Sequence, residues 1–567
     1  MILEELAKQI EKGLDKLNIK HDDITVTISN HRDLCDYQSN DLFKISKINN
    51  LDINELGNNL INEMQKDEKN TFYFKSLTFA KPGFLNITIS DEFINKNLKN
   101  MGNQGHLGIE KTNNPETFVL DYGGPNVAKP LHVGHMRTAI VGESIKRIIN
   151  YKGHKTISDV HLGDFGMQIG QVIYGVLEEN KKIEDIDIKY LDYIYPKMSG
   201  LCKENEEIRT KCAEITKKLQ DGNEEYRKYW NKIMEVSCAN IKEIYKYLDV
   251  CFDYWYGESD SYKYLPEAKE ILEKKNLLKL DDGALIVPVK KETDKKEVPP
   301  FMFQKSNGAY LYDSTDLATI IQRKQDFNPD HILYVVDNRQ SLHFETTFRV
   351  SEMADIIPKS KLEFLGYGTV NGEDGKPYKT RSGNVPKLEN LFKEVKELFI
   401  NKKKENKDMP EEDIDKIANS ILKFADLQNC REHDYIFDLN KFSDVTGKTG
   451  PYILYTYLRL NKITKNEKLN INNITNNIYN NYDRQLRIKM LELPLSYEKA
   501  FENRMPHFIA DYIYDLCVLA NIFYQQNHIN GEKNKEKIND WLNIINLVEQ
   551  ILKEMLDLLV IDIPSKM

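Results

Sequence analysis

The chain has 567 residues and a mass of 66.2 kDa, with 40% hydrophobic and 29% charged residues and a mean hydropathy of −0.57; this argues against a disordered chain and leaves room for three or four domains with full cores. Seven scattered cysteines without a Cys-x-x-Cys pair argue against a disulfide framework and a structural zinc site. The net charge of −9 means that any nucleic-acid partner must be held by local basic patches.

The chain opens on MILEELAKQIEKGL, an acidic amphipathic helix unlike a secretory signal, and no apolar run approaches the ~18 residues of a membrane span. A cytoplasmic enzyme or assembly factor is expected. Residues 1–110 read as a small α+β domain, with ITVTIS (24–29), TFYFKSLTFA (71–80) and GFLNITIS (83–90) as strands. From 111 to 395 short apolar strands alternate with helices: FVLDY (118–122), TISDV (156–160), HILYVVD (331–337) and KLEFLGYG (361–368). That alternation predicts a doubly wound parallel, Rossmann-like sheet with its ligands beyond the carboxyl ends of the strands. A lysine- and glutamate-rich stretch at 172–250 reads as a helical insertion. Residues 396–567 show helical periodicity only and predict an all-helical domain. KKKENK (402–407) reads as a solvated linker or helix face, with RNA contact as the alternative.

The first strand of the sheet is followed by GGPNVAKPLHVGHMRTAI (123–140). Pro130 can start a helix, and His132 and His135, three apart, then project from one side of its first turn. Gly134 between them lets a flat ligand approach the backbone. Two N–H donors at a helix N-terminus just past a strand end suit the charge on an α-phosphate under attack. A structural histidine pair is the alternative; smaller adenylyltransferases carry His-x-Gly-His too, so the motif implies adenylyl transfer without naming the acceptor. Later, GEDGKPYKTRSG (372–383) puts Lys376, Lys379 and Arg381 in a Gly-rich loop suited to a pyrophosphate leaving group. Its alternative is a basic surface turn. Only 14 of the 79 basic residues are arginine, so an arginine inside such a motif says more than a lysine does.

Together these segments resemble the arginyl-tRNA synthetases, a family of class I aminoacyl-tRNA synthetases, over nearly the whole chain. GGPNVAKPLHVGHMR resembles the family's extended HIGH segment, HLGDFGMQIG (161–170) the strand-turn-helix after it, and YVVDNRQSLHF (334–344) a segment close to diagnostic. DGKPYKTRSG stands where other class I synthetases carry KMSKS. DYQSN (36–40) and KPGFLN (81–86) resemble the N-terminal extra domain, and GKTGPYILYTYLRL (447–460) with the terminal IPSKM the anticodon-binding domain.

The resemblance implies an arginine–tRNA ligase: L-arginine is activated with ATP, pyrophosphate leaves, and arginine passes to the 3′-terminal ribose of tRNA(Arg). It assigns catalysis to His132, His135, Lys376 and Lys379, and ATP binding to Lys129, Gly134 and His343, the last as a base or ribose neighbour. Arginine falls to Asn126, Glu258, Tyr312, Asp316 and Gln340, in accord with the acids that a guanidinium fork requires. ATP is expected as its Mg²⁺ complex, with no protein metal site and no tightly bound cofactor. The resemblance gives Phe84 and Asn86 to the tRNA elbow and Tyr452, Tyr455 and Arg459 to unpaired anticodon bases; core packing is the alternative for the three aromatics. It also implies a monomer and activation that depends on tRNA. The chain departs from the family's usual serine at Gly124 and tryptophan at Phe165, and its C-terminal helices are poorer in arginine. Two other functions compete: a tRNA-binding paralogue without aminoacylation, which should lack a histidine, pocket acid or loop lysine, and a small-molecule adenylyltransferase, which has no use for the helical third.

Overall fold

The structure, a computed structural model, describes residues 2–378, 387–402 and 409–567. Its packing forms two units. One comprises residues up to Glu110 with Ile453–Ala500 and Asp511–Met555, and the other Lys111–Tyr452, Phe501–Ala510 and Leu556–Met567.

The larger unit is built on four parallel strands, β1 (Thr117–Asp121), β2 (Lys155–Asp159), β3 (His331–Tyr334) and β4 (Leu362–Phe364), in the order β4-β3-β1-β2. Phe118, Val119, Leu120, Ile332 and Leu333 are buried, because helices cover both faces of a parallel sheet and its strands must be apolar throughout. The register sets Asp121 beside both Asp159 and Tyr334, and Tyr334 beside Phe364, so all four carboxyl ends are level. β1 is followed by helix α1 (Val133–Tyr151), β2 by α2 (Met167–Glu178), while α3 (Tyr312–Phe327) precedes β3 and α4 (Ser341–Met353) follows it. The chain leaves β1 towards β2 on one side and reaches β3 on the other, which opens a crevice at the switch point.

Within the stretch 172–250 lie helices Ile188–Glu204, Glu206–Gln220 and Glu224–Tyr247. Each starts at a side-chain cap, from Asp187, Asn205 and Asn223, the residue types whose short oxygens satisfy the free N–H groups of a first turn. Two elements depart from the expectations. Lys279–Asp281, Ala284–Val287 and Phe301–Gln304 form an antiparallel sheet. Tyr435–Ile436 pairs in parallel with Val370–Asn371, so the region after 396 is not helical throughout. Strands this short carry too few alternating positions to be read locally, and distant partners stabilise them.

The smaller unit holds an antiparallel sheet in the order Thr27–Ile28, Tyr37–Ser39, Phe84–Ile89, Phe74–Ala80. The strand expected over 24–29 narrows to Thr27–Ile28, although Ile24 and Val26 are buried as the alternation implied. The one expected over 71–80 begins only at Phe74, after a helical turn Asn70–Tyr73. In the same unit Arg487 is fully buried among Asp483, Asp540 and the Asn95 side-chain oxygen, so sequence-distant segments share one polar core. Among the described residues no helix is long and apolar enough to cross a membrane.

Candidate active site

At the level carboxyl ends of β1–β4 lies a cleft of about 820 Å³. Asn126, His132, Gly134, His135, Glu258, Tyr312, Asp316, Gln340 and His343 all line it. Lys129 is set back, its Nζ 5.2 Å from the centre of the Tyr195 ring. Lys376 is exposed in a turn closed by the Gly372 N–H donating to its carbonyl, and its neighbours Pro377 and Tyr378 reach the cleft. Lys379 and Arg381 lie outside the described residues, as does the 403–407 part of KKKENK.

The helix start is a capping box made of histidines. His132 is the N-cap of α1, its Nδ1 accepting from the Gly134 N–H at 3.1 Å, and His135 Nδ1 accepts from the His132 N–H at 3.1 Å. Helix α1 thus begins at Val133, three residues beyond Pro130. A ring nitrogen that accepts carries no proton, so each neutral ring must be the Nε2–H tautomer with one free donor. The rings lie 3.9 Å apart between centroids. Burial pushes His135 down to about 3, with His132 and Lys129 adding to it, and burial with Arg339 and Lys129 lowers His132. Both are therefore neutral donors at physiological pH, beside the positive end of a helix.

Facing them are the acids. Glu258 starts a short helix at 258–261, tied to the β2 loop by its N–H donating to the Leu162 carbonyl at 2.9 Å. Burial raises its carboxyl to about 7; His161 opposes, and Asp164 and Asp316 add. Asp313 and Asp316 lie in the first turns of α3 and hold His343 between them, Nδ1 at 2.6 Å from Asp313 and Nε2 at 2.5 Å from Asp316. The half-open Tyr312 ring meets His343 edge-on at 4.8 Å. Asn126 sits where the β1 and β2 loops cross: the Val127 N–H donates to the Gly163 carbonyl at 2.9 Å, and a Cβ on Gly163 would lie 2.6 Å from the Asn126 side-chain oxygen. Glycine at 163 makes room for the asparagine. A Cβ on Gly124 would meet the carbonyls of His161 at 2.6 Å and Val160 at 2.7 Å, so this chain's glycine lets the same two loops press together.

Beneath the cleft, Arg323 of α3 is buried and donates through one nitrogen to Asp121 at 2.7 Å and to Asp159 at 3.0 Å. Burial raises Asp121 against the pull of Arg323; at Asp159 burial is outweighed by His161 and Arg323, which hold it down to about 2. His161 has a left-handed φ of 42° and Nδ1 3.7 Å from Asp159. Despite burial, the Asp159 and Asp121 carboxylates lift its ring to about 9. Motif reading missed Asp121, Asp159 and Arg323. Their one signal was a carboxylate at the carboxyl end of each of two apolar strands.

Comparison with known proteins agrees with this geometry. A family model described as "tRNA synthetases class I (R), catalytic domain" matches residues 97–439, "Arginyl tRNA synthetase N terminal domain" matches 4–89, and "DALR anticodon binding domain" matches 453–567. The chain is 40% identical to an arginine–tRNA ligase of Alkaliphilus oremlandii, over 98% of this chain and 97% of the relative. The chain belongs to the arginyl-tRNA synthetase family. An arginine–tRNA ligase of Agathobacter rectalis is 37% identical over 100% of this chain and 99% of its own length. Among solved structures, the arginyl-tRNA synthetase of Plasmodium falciparum superposes with a TM-score of 0.82 at 27% identity, covering 100% of this chain and 99% of its own. That of Thermus thermophilus gives 0.80 at 20% identity with full coverage of both chains, a likeness of fold.

Three further residues of the cleft went unread. Thr138 accepts from the Gly123 N–H at 3.0 Å and donates to the Val335 carbonyl at 2.7 Å, tying α1 to the ends of β1 and β3. Arg137 is buried and donates to the carbonyls of Gly368, Arg431 and His433. Arg339 is exposed and forks onto Asp337 at 2.8 and 2.7 Å. Phe165, where the family usually has tryptophan, is buried and edge-on to Trp230 and Tyr262.

The residues expected at tRNA lie in other parts of the chain. Phe84 and Asn86 alternate with buried Leu85 and Ile87, so they occupy the more open face of their strand. Tyr452, Tyr455 and Arg459 all lie on the helix Gly450–Thr464. Tyr455 is 46% exposed, Tyr452 is half-buried, and the Arg459 guanidinium lies 4.4 Å from the centre of the Tyr524 ring.

Proposed function

We propose that the cleft performs the activity of an arginine–tRNA ligase on the residues named above. Arginine's guanidinium is taken by Asp316 beside Tyr312, Glu258 meets the α-amino group, Asn126 lies beside the reacting carboxylate, and Gln340 meets the substrate through its amide. The carboxylate oxygen attacks the α-phosphorus of ATP, the bond from that phosphorus to the β-phosphate oxygen breaks, and pyrophosphate leaves. His132 and His135 donate Nε2–H to the phosphoryl oxygens as charge gathers on them, worth roughly 3 kcal/mol for one such donor. Lys376 and Lys379 act on the leaving pyrophosphate and Lys129 serves the ATP side; His343, expected beside ATP, is instead read on the arginine side from its contacts with Asp313 and Asp316. ATP enters as its Mg²⁺ complex, the metal being part of the substrate. The terminal ribose hydroxyl of tRNA(Arg) then attacks the adenylate carbonyl, and AMP leaves.

The observation that carries this reading is the histidine capping box set opposite a carboxylate-lined pocket in one crevice. Neutral donors suit a phosphate, and acids suit a guanidinium. We assign residues 1–110 to tRNA contact, 111–395 to catalysis with a helical insertion at about 172–250, and 396–567 to the anticodon; the anticodon-binding family match at 453–567 supports the last, while the catalytic match at 97–439 runs past 395. On the family resemblance we also propose a monomer in the cytoplasm, the first to be checked by sedimentation of the full-length protein. Aminoacylation of total tRNA with each amino acid in turn tests the whole. Arginine alone should be charged, with tRNA-dependent pyrophosphate release. Binding of tRNA without charging would instead indicate the paralogue, and adenylate formation on a small molecule indifferent to tRNA would indicate the adenylyltransferase.

A further inference from the structure

Asp313 and Asp316, three residues apart on α3, present their carboxylates to the same side, and His343 at the start of α4 is wedged between them. A carboxylate only accepts, so two carboxylates at hydrogen-bond distance from both ring nitrogens require a proton on each nitrogen. The geometry makes His343 an imidazolium, the single cation among the described residues in contact with Asp316, the acid read as the guanidinium ligand. Burial works against that charge, but the two carboxylates hold the ring up to about 9, so it stays charged through neutral pH. Other titratable or charged groups on the cleft wall are Tyr312 against the ring, Asp121, Glu258 and His161 on the β1 and β2 side, the neutral pair His132 and His135 with Arg137 on α1, Arg339 committed to Asp337, and Tyr122, Tyr367 and Tyr378.

This arrangement conflicts with simple arginine binding. A guanidinium fork uses both oxygens of a carboxylate, and one Asp316 oxygen is occupied by His343. A second cation arriving there would face the first. We propose that His343 is an internal counter-ion of the pocket that arginine displaces from Asp316, and that the displaced ring releases its Nε2 proton to solvent. The exchange balances: the imidazolium–Asp316 contact and free argininium become neutral His343, an argininium–Asp316 pair and one proton. Nδ1–H stays on Asp313, and the bared Nε2 lone pair can accept from the incoming guanidinium. The inference rests on the reading that Asp316 binds the guanidinium.

The test is calorimetric titration of the full-length protein with L-arginine at pH 8 in two buffers of different ionisation enthalpy. From the ring's value of about 9 the parent protein should release about 0.9 proton per arginine, and its Kd should tighten about eightfold from pH 7.5 to 8.5. Glu258, near 7, passes from about three-quarters to almost fully ionised over that range and adds only about 1.3-fold. In His343→Gln, which keeps polar contacts without titrating, both effects should vanish. Arginine binding by the parent with no proton release and no pH slope would overturn the proposal whether or not the variant folds, and so would the same release in His343→Gln. Asp316→Asn separates the two levels. Undiminished arginine affinity in that variant removes the pocket reading and this inference with it; lost affinity, with no proton release in the parent, removes the inference alone.

Discussion

Replacing His135 by alanine removes one function that the structure shows and one that we propose, carried by different atoms. Nδ1 closes the capping box by accepting the His132 N–H at 3.1 Å, and Nε2–H is the donor that the mechanism aims at the phosphate. The cap contributes about 1 kcal/mol to stability. A transition-state donor contributes about 2.7–4 kcal/mol, or a factor of 10²–10³ in rate. His135→Ala should therefore lower the melting temperature slightly and slow arginyl-adenylate formation at least 100-fold by the same rule, with arginine affinity unchanged because the pocket acids come from α3 and the 258–261 helix. His135→Gln separates the two functions, since glutamine at this position closes a capping box: stability should return and the rate should not. The assay is ATP–pyrophosphate exchange with cognate tRNA, beside thermal denaturation. Because burial holds the ring down to about 3, neither profile should show a limb from this histidine between pH 6 and 8. Recovery of rate together with stability in His135→Gln would reduce His135 to a cap and refute the assignment.

Asp316→Asn and Glu258→Gln should each weaken arginine by about 2–3 kcal/mol, with lysine gaining nothing, because a point ammonium cannot satisfy a fork-shaped site; an unchanged arginine KM in both would disprove the pocket. The Glu258 carboxyl is raised from 4.5 to about 7 in the folded protein, which thus binds more protons than the unfolded chain between those values. Stability carried by that group falls as pH rises through the window, so the melting temperature of Glu258→Gln relative to the parent should climb between pH 4.5 and 8. Arg323→Met leaves the His161 ring to balance both buried carboxylates, Asp121 and Asp159, and denaturant titration should read a loss of about 3 kcal/mol. Phe84→Ala and Tyr455→Ala should raise the KM for tRNA through a lost stack worth about 1–3 kcal/mol, with circular dichroism and arginine affinity unaltered. With arginine and ATP alone, pyrophosphate exchange should be nearly absent and should appear on addition of tRNA; robust exchange without RNA would remove the proposed coupling.

Of the nine expected residues that line the cleft, His132, Gly134 and His135 were legible because their chemistry is local; the other six came from the family resemblance. His132, Gly134 and His135 form one helix turn, and a capping box needs no more than four consecutive residues. The strands of the sheet were legible for a similar reason: fully buried parallel strands are continuous apolar runs. Even so, short range has limits. The resemblance that gave His343 to ATP carried no sign that both its nitrogens are held by Asp313 and Asp316, which lie on a preceding helix.

Amino-acid order by itself determined the helix that starts at the histidine pair, the alternation of strands and helices, and the residue types that an arginine and a phosphate require. The helix, the alternation and the phosphate donors follow from periodicity and hydrogen bonding within a few residues; the acids for arginine came from the family resemblance. Tertiary structure alone decided that Arg323 would stand between Asp121 and Asp159, that Asn95 would meet Arg487, and that residues 279–304 would form a sheet of their own. Those contacts join segments far apart in the chain, and their free energy comes from burying charges beside their partners, a gain that exists only once the chain has closed around them.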